Sequence, residues 1–202
     1  MEKSPEPLTM RLSKWMALVV LPVIAGSSMA SSPAKDAPPQ ASQATPGPIV
    51  ILVRHAEKSA EPGNDPPLSA AGAARAEALA VALRDAGVTA VITTQLRRTR
   101  ETAQPVAASR NIVPQVIPAG GAAAHAEAVA AAVKRHGEGT VLVVGHSNTV
   151  PAIIAALGGP RLPDLCESAY SNLFTLVPGP GDARLVRARY GPADVEGAAE
   201  CK

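Results

Sequence analysis

Aromatic residues are almost missing, with one Trp, two Tyr and one Phe making 2% of 202 residues. That scarcity argues against stacking on bases or sugar rings as a mode of binding. It also requires a core of Val, Ile, Leu and Ala. Cysteine is scarce too: Cys166 and Cys201 are the only two, too few for a disulfide framework and without a His or Cys neighbour that would complete a zinc site. Charge of one sign does not dominate, the net being +2 with 18% charged residues. Outside Arg97, Arg98 and Arg100 there is no basic block, so a nucleic-acid surface is not expected and a small anion is the better-suited partner. No apolar run reaches the roughly 20 residues of a membrane-spanning helix. What remains is 47% hydrophobic over 202 residues, enough for one domain with a real core.

The first segment reads as a leader. Arg11 and Lys14 precede the apolar run Trp15 to Ala25, and Gly26-Ser27-Ser28-Met29-Ala30 supplies small residues at a cleavage site, the pattern of a secretory signal peptide. Residues 1–30 are assigned to it, with cleavage after Ala30; the alternative is an uncleaved anchor, the one case in which the chain would touch a membrane. Met10 is an alternative start to Met1. Residues 31–48, rich in Ser, Ala, Pro and Gln, cannot bury enough surface to offset their ordering and are read as a flexible linker. Residues 49–202 form the domain. Such a chain is periplasmic or secreted, where Cys166 and Cys201 can join in one disulfide.

From Ile49 onward, short β-branched runs alternate with alanine-rich amphipathic stretches. This alternation predicts an α/β three-layer sandwich, a mostly parallel central sheet with helices on both faces. Strands are expected at 49–53, 88–93, 113–117, 140–144, 173–177 and 185–190. Helices are expected at 70–86, opened by Ser69 and closed by Gly87, at 96–109 with an interruption or bend at Pro105, at 122–136, and from about Val150. Two of the strands end in conspicuous polar groups, Arg54-His55 and Gly145-His146-Ser147-Asn148. Ligands of parallel α/β sheets sit at such carboxyl ends, and the helix that follows points its free N–H groups at any bound anion.

Four segments then carry a resemblance. Arg54-His55-Ala56-Glu57, Leu68-Ser69-Ala70-Ala71-Gly72 with Arg75-Ala76, Thr94-Gln95-Leu96-Arg97-Arg98-Thr99-Arg100-Glu101-Thr102-Ala103, and Gly145-His146 stand in order. Together they resemble the histidine phosphatase superfamily, also called phosphoglycerate mutase-like, over Ile49 to about Tyr190. Ala56 in place of glycine and Thr99 in place of alanine depart from its pattern. The resemblance implies that His55 is the nucleophile, forming a phosphohistidine that water hydrolyses, and that Arg54, Arg98 and His146 hold the phosphoryl group. Asn148 joins Arg54, Arg98 and His146 as a substrate-binding candidate. Of the three arginines of the second helix only Arg98 matches the motif; Arg97 and Arg100 are expected in solvent, as are His125 and His136. Neither a metal nor another cofactor is implied.

Many members of that superfamily take the leaving-group proton donor from a glutamate after the third strand, but residues 118–124 read Pro-Ala-Gly-Gly-Ala-Ala-Ala. Glu57, next to the nucleophile motif, is the first candidate, followed by Asp65 and Glu127. Without any acid, the enzyme should favour leaving groups that depart easily, such as acyl phosphates or phosphohistidine. Three other readings compete. A mutase of this family would carry a longer insertion after the second helix. A serine hydrolase built on Gly145-His146-Ser147 lacks the second glycine and any histidine after the serine. A non-catalytic, phospholigand-binding envelope protein would keep the pocket without turnover. The expected substrate is a small-molecule or glycan phosphate, with the loops 59–67 and 158–168 left to discriminate.

Overall fold

A computed structural model describes residues 47–179 and 181–194. The leader, nearly all of the linker and Cys201, hence also the Cys166–Cys201 pairing, lie outside the described residues. The described chain forms β1 (Ile49–Arg54), α1 (Ala70–Ala82), β2 (Val88–Thr93), α2 (Arg97–Ser109), β3 (Gln115–Val116), α3 (Ala122–Lys134), β4 (Thr140–Gly145), α4 (Thr149–Ala156), β5 (Asn172–Val177) and β6 (Arg184–Arg189). The strands make one sheet in the order β3-β2-β4-β1-β5-β6. Pairings from β3 to β1 are parallel, and β5 and β6 close the sheet antiparallel. The α/β class with a mostly parallel sheet is as the residue pattern predicts.

Continuous apolar runs in β1 and β4 arise because both faces of these central strands are covered. Val50 and Leu52 of β1 join Val141 and Val143 of β4 beneath α3 and α4. Their neighbours Ile51 and Val53, with Leu142 and Val144, point the other way onto Leu79 and Leu83 of the α1 end and Val106 and Ala107 of α2. In β2 the register shifts between Val88 and Ala90. That one extra residue lets Val88 and Val91 share one core while Ala90 and Ile92 face the other.

Several boundaries differ from expectation for local reasons. α1 ends at Ala82, and Arg84 and Ala86 bond three residues back to Val81 and Leu83, tightening the last turn before Gly87 takes φ +60. α2 runs unbroken through Pro105, because buried Thr102, Ala103, Val106 and Ala107 hold its turns against the sheet on either side of the proline. β3 keeps two residues of the expected five, lies at the sheet edge, and leaves Val113 90% exposed. Among the described residues no helix is long and apolar enough to cross a membrane.

Candidate active site

The two polar strand ends meet because β1 and β4 are adjacent and in register, Arg54 lying opposite Gly145. The His55 amide continues the ladder by donating to the Gly145 carbonyl at 2.9 Å, and the His55 and His146 rings then approach edge to face with centroids 5.4 Å apart. A cleft of about 470 Å³ opens there, lined by His55, Lys58, Arg98, His146, Ser147, Asn148 and Glu167 among others.

His55 is 4% exposed, and its Nδ1 lies 2.8 Å from the Ala56 carbonyl. A carbonyl only accepts, so Nδ1 carries the proton and Nε2 is left with a free lone pair. Burial, outweighing the Ala56 bond that favours the proton, lowers its pKa from 6.5 to about 3, with Arg54, His146 and Arg98 adding to the effect. His55 is therefore a neutral imidazole at every ordinary pH. His146 is lowered from 6.5 to about 4 by burial first and then by Arg98, His125 and Arg54, against the opposing pull of Glu167. Its Nε2 lies 3.3 Å from the Thr94 hydroxyl.

The segments around these rings are tied down by their own backbone chemistry. Ala56, in the place of the expected glycine, is fully buried and donates its N–H to Thr102 Oγ1 at 2.9 Å. Thr102 in turn donates to the Arg98 carbonyl at 2.6 Å, which couples the His55 segment to the first turn of α2. Thr99, in the place of alanine, holds the Thr94 hydroxyl at 2.9 Å and thereby the group facing His146. Gly72 permits α1 to lie against the strand end: a Cβ there would sit 2.2 Å from the Glu57 carbonyl oxygen, so no other residue fits without moving the segment.

Arg54 is 1% exposed. Its Nη1 donates to the Cys166 carbonyl at 2.7 Å and its Nη2 to Glu167 Oε2 at 2.6 Å, and its guanidinium lies 4.4 Å from the centre of the Tyr170 ring. Arg98 reaches the cleft from α2, 4.0 Å from Asp65. The buried Nε atoms of both arginines have no hydrogen-bond partner, a costly state for a donor on a cation. Glu167 also accepts from the Ser147 hydroxyl at 2.5 Å. Burial raises its pKa, but Ser147, Arg54 and Lys58 outweigh this and hold it below its ordinary 4.5.

The structure brings His55, Arg98, His146 and Asn148 to the cleft wall, with Arg54 behind it. Glu57, the first proton-donor candidate, has its carboxylate on a fork from Arg75, Nε at 3.0 Å and Nη2 at 2.7 Å, and is not among the residues lining the cleft. Arg75 is buried on α1 and also donates to the Tyr190 and Pro192 carbonyls. A buried cation needs that carboxylate, which is why Glu57 turns away from His55. Asp65 lies beside Arg98 outside the cleft wall, and Glu127 is exposed on α3. Arg97 pairs with Glu101 in solvent, and Arg100 and His136 are exposed, as expected. His125 is not on the surface: it is 4% exposed with Nδ1 3.0 Å from the Pro118 carbonyl. An alanine-rich helix hides its buried face from periodicity, and His125 falls on the side of Val129 and Ala126. Glu167, Tyr170 and Lys58 are not singled out by the sequence, and Thr94 enters only as the first residue of the Arg98 segment; the one signal for Glu167 is its place in a loop expected to discriminate substrates. Among the described residues no group of three or more His, Cys, Asp or Glu could hold a metal ion.

Known proteins resemble the chain at two levels. Residues 50–119 match the histidine phosphatase superfamily (branch 1). The match covers the His55 and Arg98 segments. The fold is similar to that of the protein histidine phosphatase SixA complexed with tungstate, at 17% identity and TM-score 0.55, covering 70% of this chain and 96% of that one. The mycobacterial glucosyl-3-phosphoglycerate phosphatase is similar at 16% identity and TM-score 0.53, covering 72% of this chain and 99% of its own. YhfR of Bacillus stearothermophilus is similar at 20% identity and TM-score 0.53, covering 68% of this chain and 95% of its own. At these identities the likeness establishes the phosphoglycerate mutase-like fold. No curated protein matches in sequence.

Proposed function

We propose that the chain is an exported phosphomonoester hydrolase of the histidine phosphatase type, working through a phosphohistidine on His55 without a metal. The observation that carries the proposal is the state of His55: a buried, neutral ring whose Nδ1 proton is given to the Ala56 carbonyl, leaving Nε2 free. In the first step Nε2 attacks phosphorus in line and the bond to the leaving oxygen breaks. In the second, water attacks the phosphohistidine, returning the imidazole and releasing inorganic phosphate. Arg54, Arg98 and His146 hold the phosphoryl oxygens. The unpartnered, buried Nε atoms of the two arginines support this, since an anion would satisfy them. Asn148 stands at the start of α4, where free N–H groups favour an anion.

The cleft is open and polar, which suits a phosphate carried on a large molecule, and the leader would deliver the enzyme to the periplasm or beyond. An envelope-associated phosphate is the substrate class we propose. Only five residues separate α2 from β3, leaving no insertion to enclose a sugar phosphate as a mutase requires. One observation favours a binding protein without turnover: residues 118–124 hold no acid to protonate a leaving group. The test compares the full chain with His55→Ala on para-nitrophenyl phosphate in the presence of a chelator. Turnover that survives the chelator and disappears in the variant supports the hydrolase; binding of inorganic phosphate without turnover in either protein would leave the binding-protein reading standing.

A further inference from the structure

The stretch from Pro118 to Ala124 offers no proton donor, and Glu57 is committed to Arg75. Glu167 is the one carboxylate among the described residues that line the cleft. It reaches in from the loop between α4 and β5, its side chain 74% exposed, one oxygen on Arg54 and the other on Ser147. The oxygen on Arg54 stands where a phosphoryl oxygen would have to stand if Arg54 is to hold the substrate. Substrate and Glu167 therefore compete for one guanidinium.

We infer that Glu167 is displaced from Arg54 by the phosphoryl group and then serves as the acid that protonates the leaving oxygen. The inference rests on the phosphatase reading and supplies the residue it lacks. The groups that face Glu167 explain how displacement changes it. Lys58 from the segment after β1, Ser147 and His146 from the end of β4 and Arg98 from α2 line the cleft with it, and Arg54 from β1 meets it from behind the wall. In the resting site Arg54, Lys58 and Ser147 keep the carboxylate ionised. Once a phosphoryl dianion takes Arg54, the carboxylate loses that partner and gains a negative neighbour, both of which favour its protonated form. The Ser147 hydroxyl keeps it at the cleft.

The proton comes from solvent as the phosphoryl group binds. It passes to the leaving oxygen as the oxygen–phosphorus bond breaks and the Nε2–phosphorus bond forms. The resulting carboxylate accepts a proton from the water that attacks phosphorus in the second step, and when phosphate leaves it gives that proton to solvent and returns to Arg54 ionised.

The variant is Glu167→Gln in the full chain, at an exposed side chain whose replacement leaves the core untouched. Three readings are taken: turnover of para-nitrophenyl phosphate, whose leaving group needs no proton; turnover of glycerol 2-phosphate, whose leaving alkoxide does; and calorimetric binding of inorganic phosphate. Loss of general-acid help should lower kcat/KM for glycerol 2-phosphate about 100-fold relative to that for para-nitrophenyl phosphate, since relief of the competition at Arg54 acts on both esters alike. Loss of the competitor should tighten phosphate binding about ten-fold. An unchanged ratio between the two esters overturns the acid role, and unchanged or weakened phosphate binding overturns the displacement. If the wild type shows no His55-dependent turnover of either ester, the phosphatase reading fails and the acid role with it, whereas His55-dependent turnover with an unchanged ratio removes Glu167 alone.

Discussion

Two of the four histidines should refuse protons through the whole range in which an ordinary imidazole titrates. Lowering His55 from 6.5 to about 3 disfavours its charged form by about 5 kcal/mol, and lowering His146 from 6.5 to about 4 by about 3 kcal/mol. At pH 5 an imidazole of ordinary pKa is about 97% protonated, whereas His55 should be about 1% and His146 about 10% protonated. The assay is the pH dependence of the histidine ring resonances by NMR, with His55→Gln and His146→Gln to assign them; it needs no substrate and so avoids the substrate's own titration. The two cleft resonances should stay flat from pH 8 to pH 5. A midpoint between 6 and 7 for the resonance lost in His55→Gln would refute the burial argument, and with it the case for a free-base nucleophile in acid. Stability carries the same signature. Both folded values lie below the unfolded one, so the stability associated with the neutral rings is complete above pH 6.5 and declines as pH falls toward 4 and then 3, by up to about 1.4 kcal/mol per pH unit for each ring.

Removing the Glu57 charge with Glu57→Gln should strip the buried Arg75 of its forked partner, costing about 2–3 kcal/mol and lowering the melting midpoint by roughly 5–10 °C. The folded fraction should keep its turnover of para-nitrophenyl phosphate, and turnover abolished without a change in melting would restore Glu57 to the proton-donor role. Gly72→Ala forces a methyl group to 2.2 Å from the Glu57 carbonyl; a loss of about 1–3 kcal/mol by chemical denaturation is expected, and a variant as stable as the wild type would show that the α1 contact with the segment after His55 yields freely.

Much of the fold is legible in the residues themselves because two periodicities are local. Apolar runs bounded by glycine mark β1, β2 and β4, and Ser69 before an alanine-rich stretch marks the start of α1, where its hydroxyl accepts from the Gly72 amide at 3.1 Å. His55, Arg98 and His146 are legible as candidates because strand ends and a helix start carry them. Three matters are not. Alanine has nearly the same preference for either helix face, so the burial of His125 depends on which side of α3 meets the sheet. Pro105 interrupts a helix in isolation, but packing on both sides of it holds α2 continuous.

The partner of each charged group is the third, and it is the one that bears on chemistry. Along the chain, Glu57 stands two residues from His55 and Glu167 more than a hundred residues away. Alternation along an extended segment and the arrival of α1 turn Glu57 onto Arg75, while the pairing of β1 with β4 and β5 carries the loop of Glu167 across to Arg54. Composition and periodicity determined the layers and the strand ends that carry the two cleft histidines, since these follow from what each residue does with its own neighbours. Which carboxylate faces the cleft was decided only by tertiary structure, because a charge is drawn to its partner through space and the chain between them places no limit on that choice.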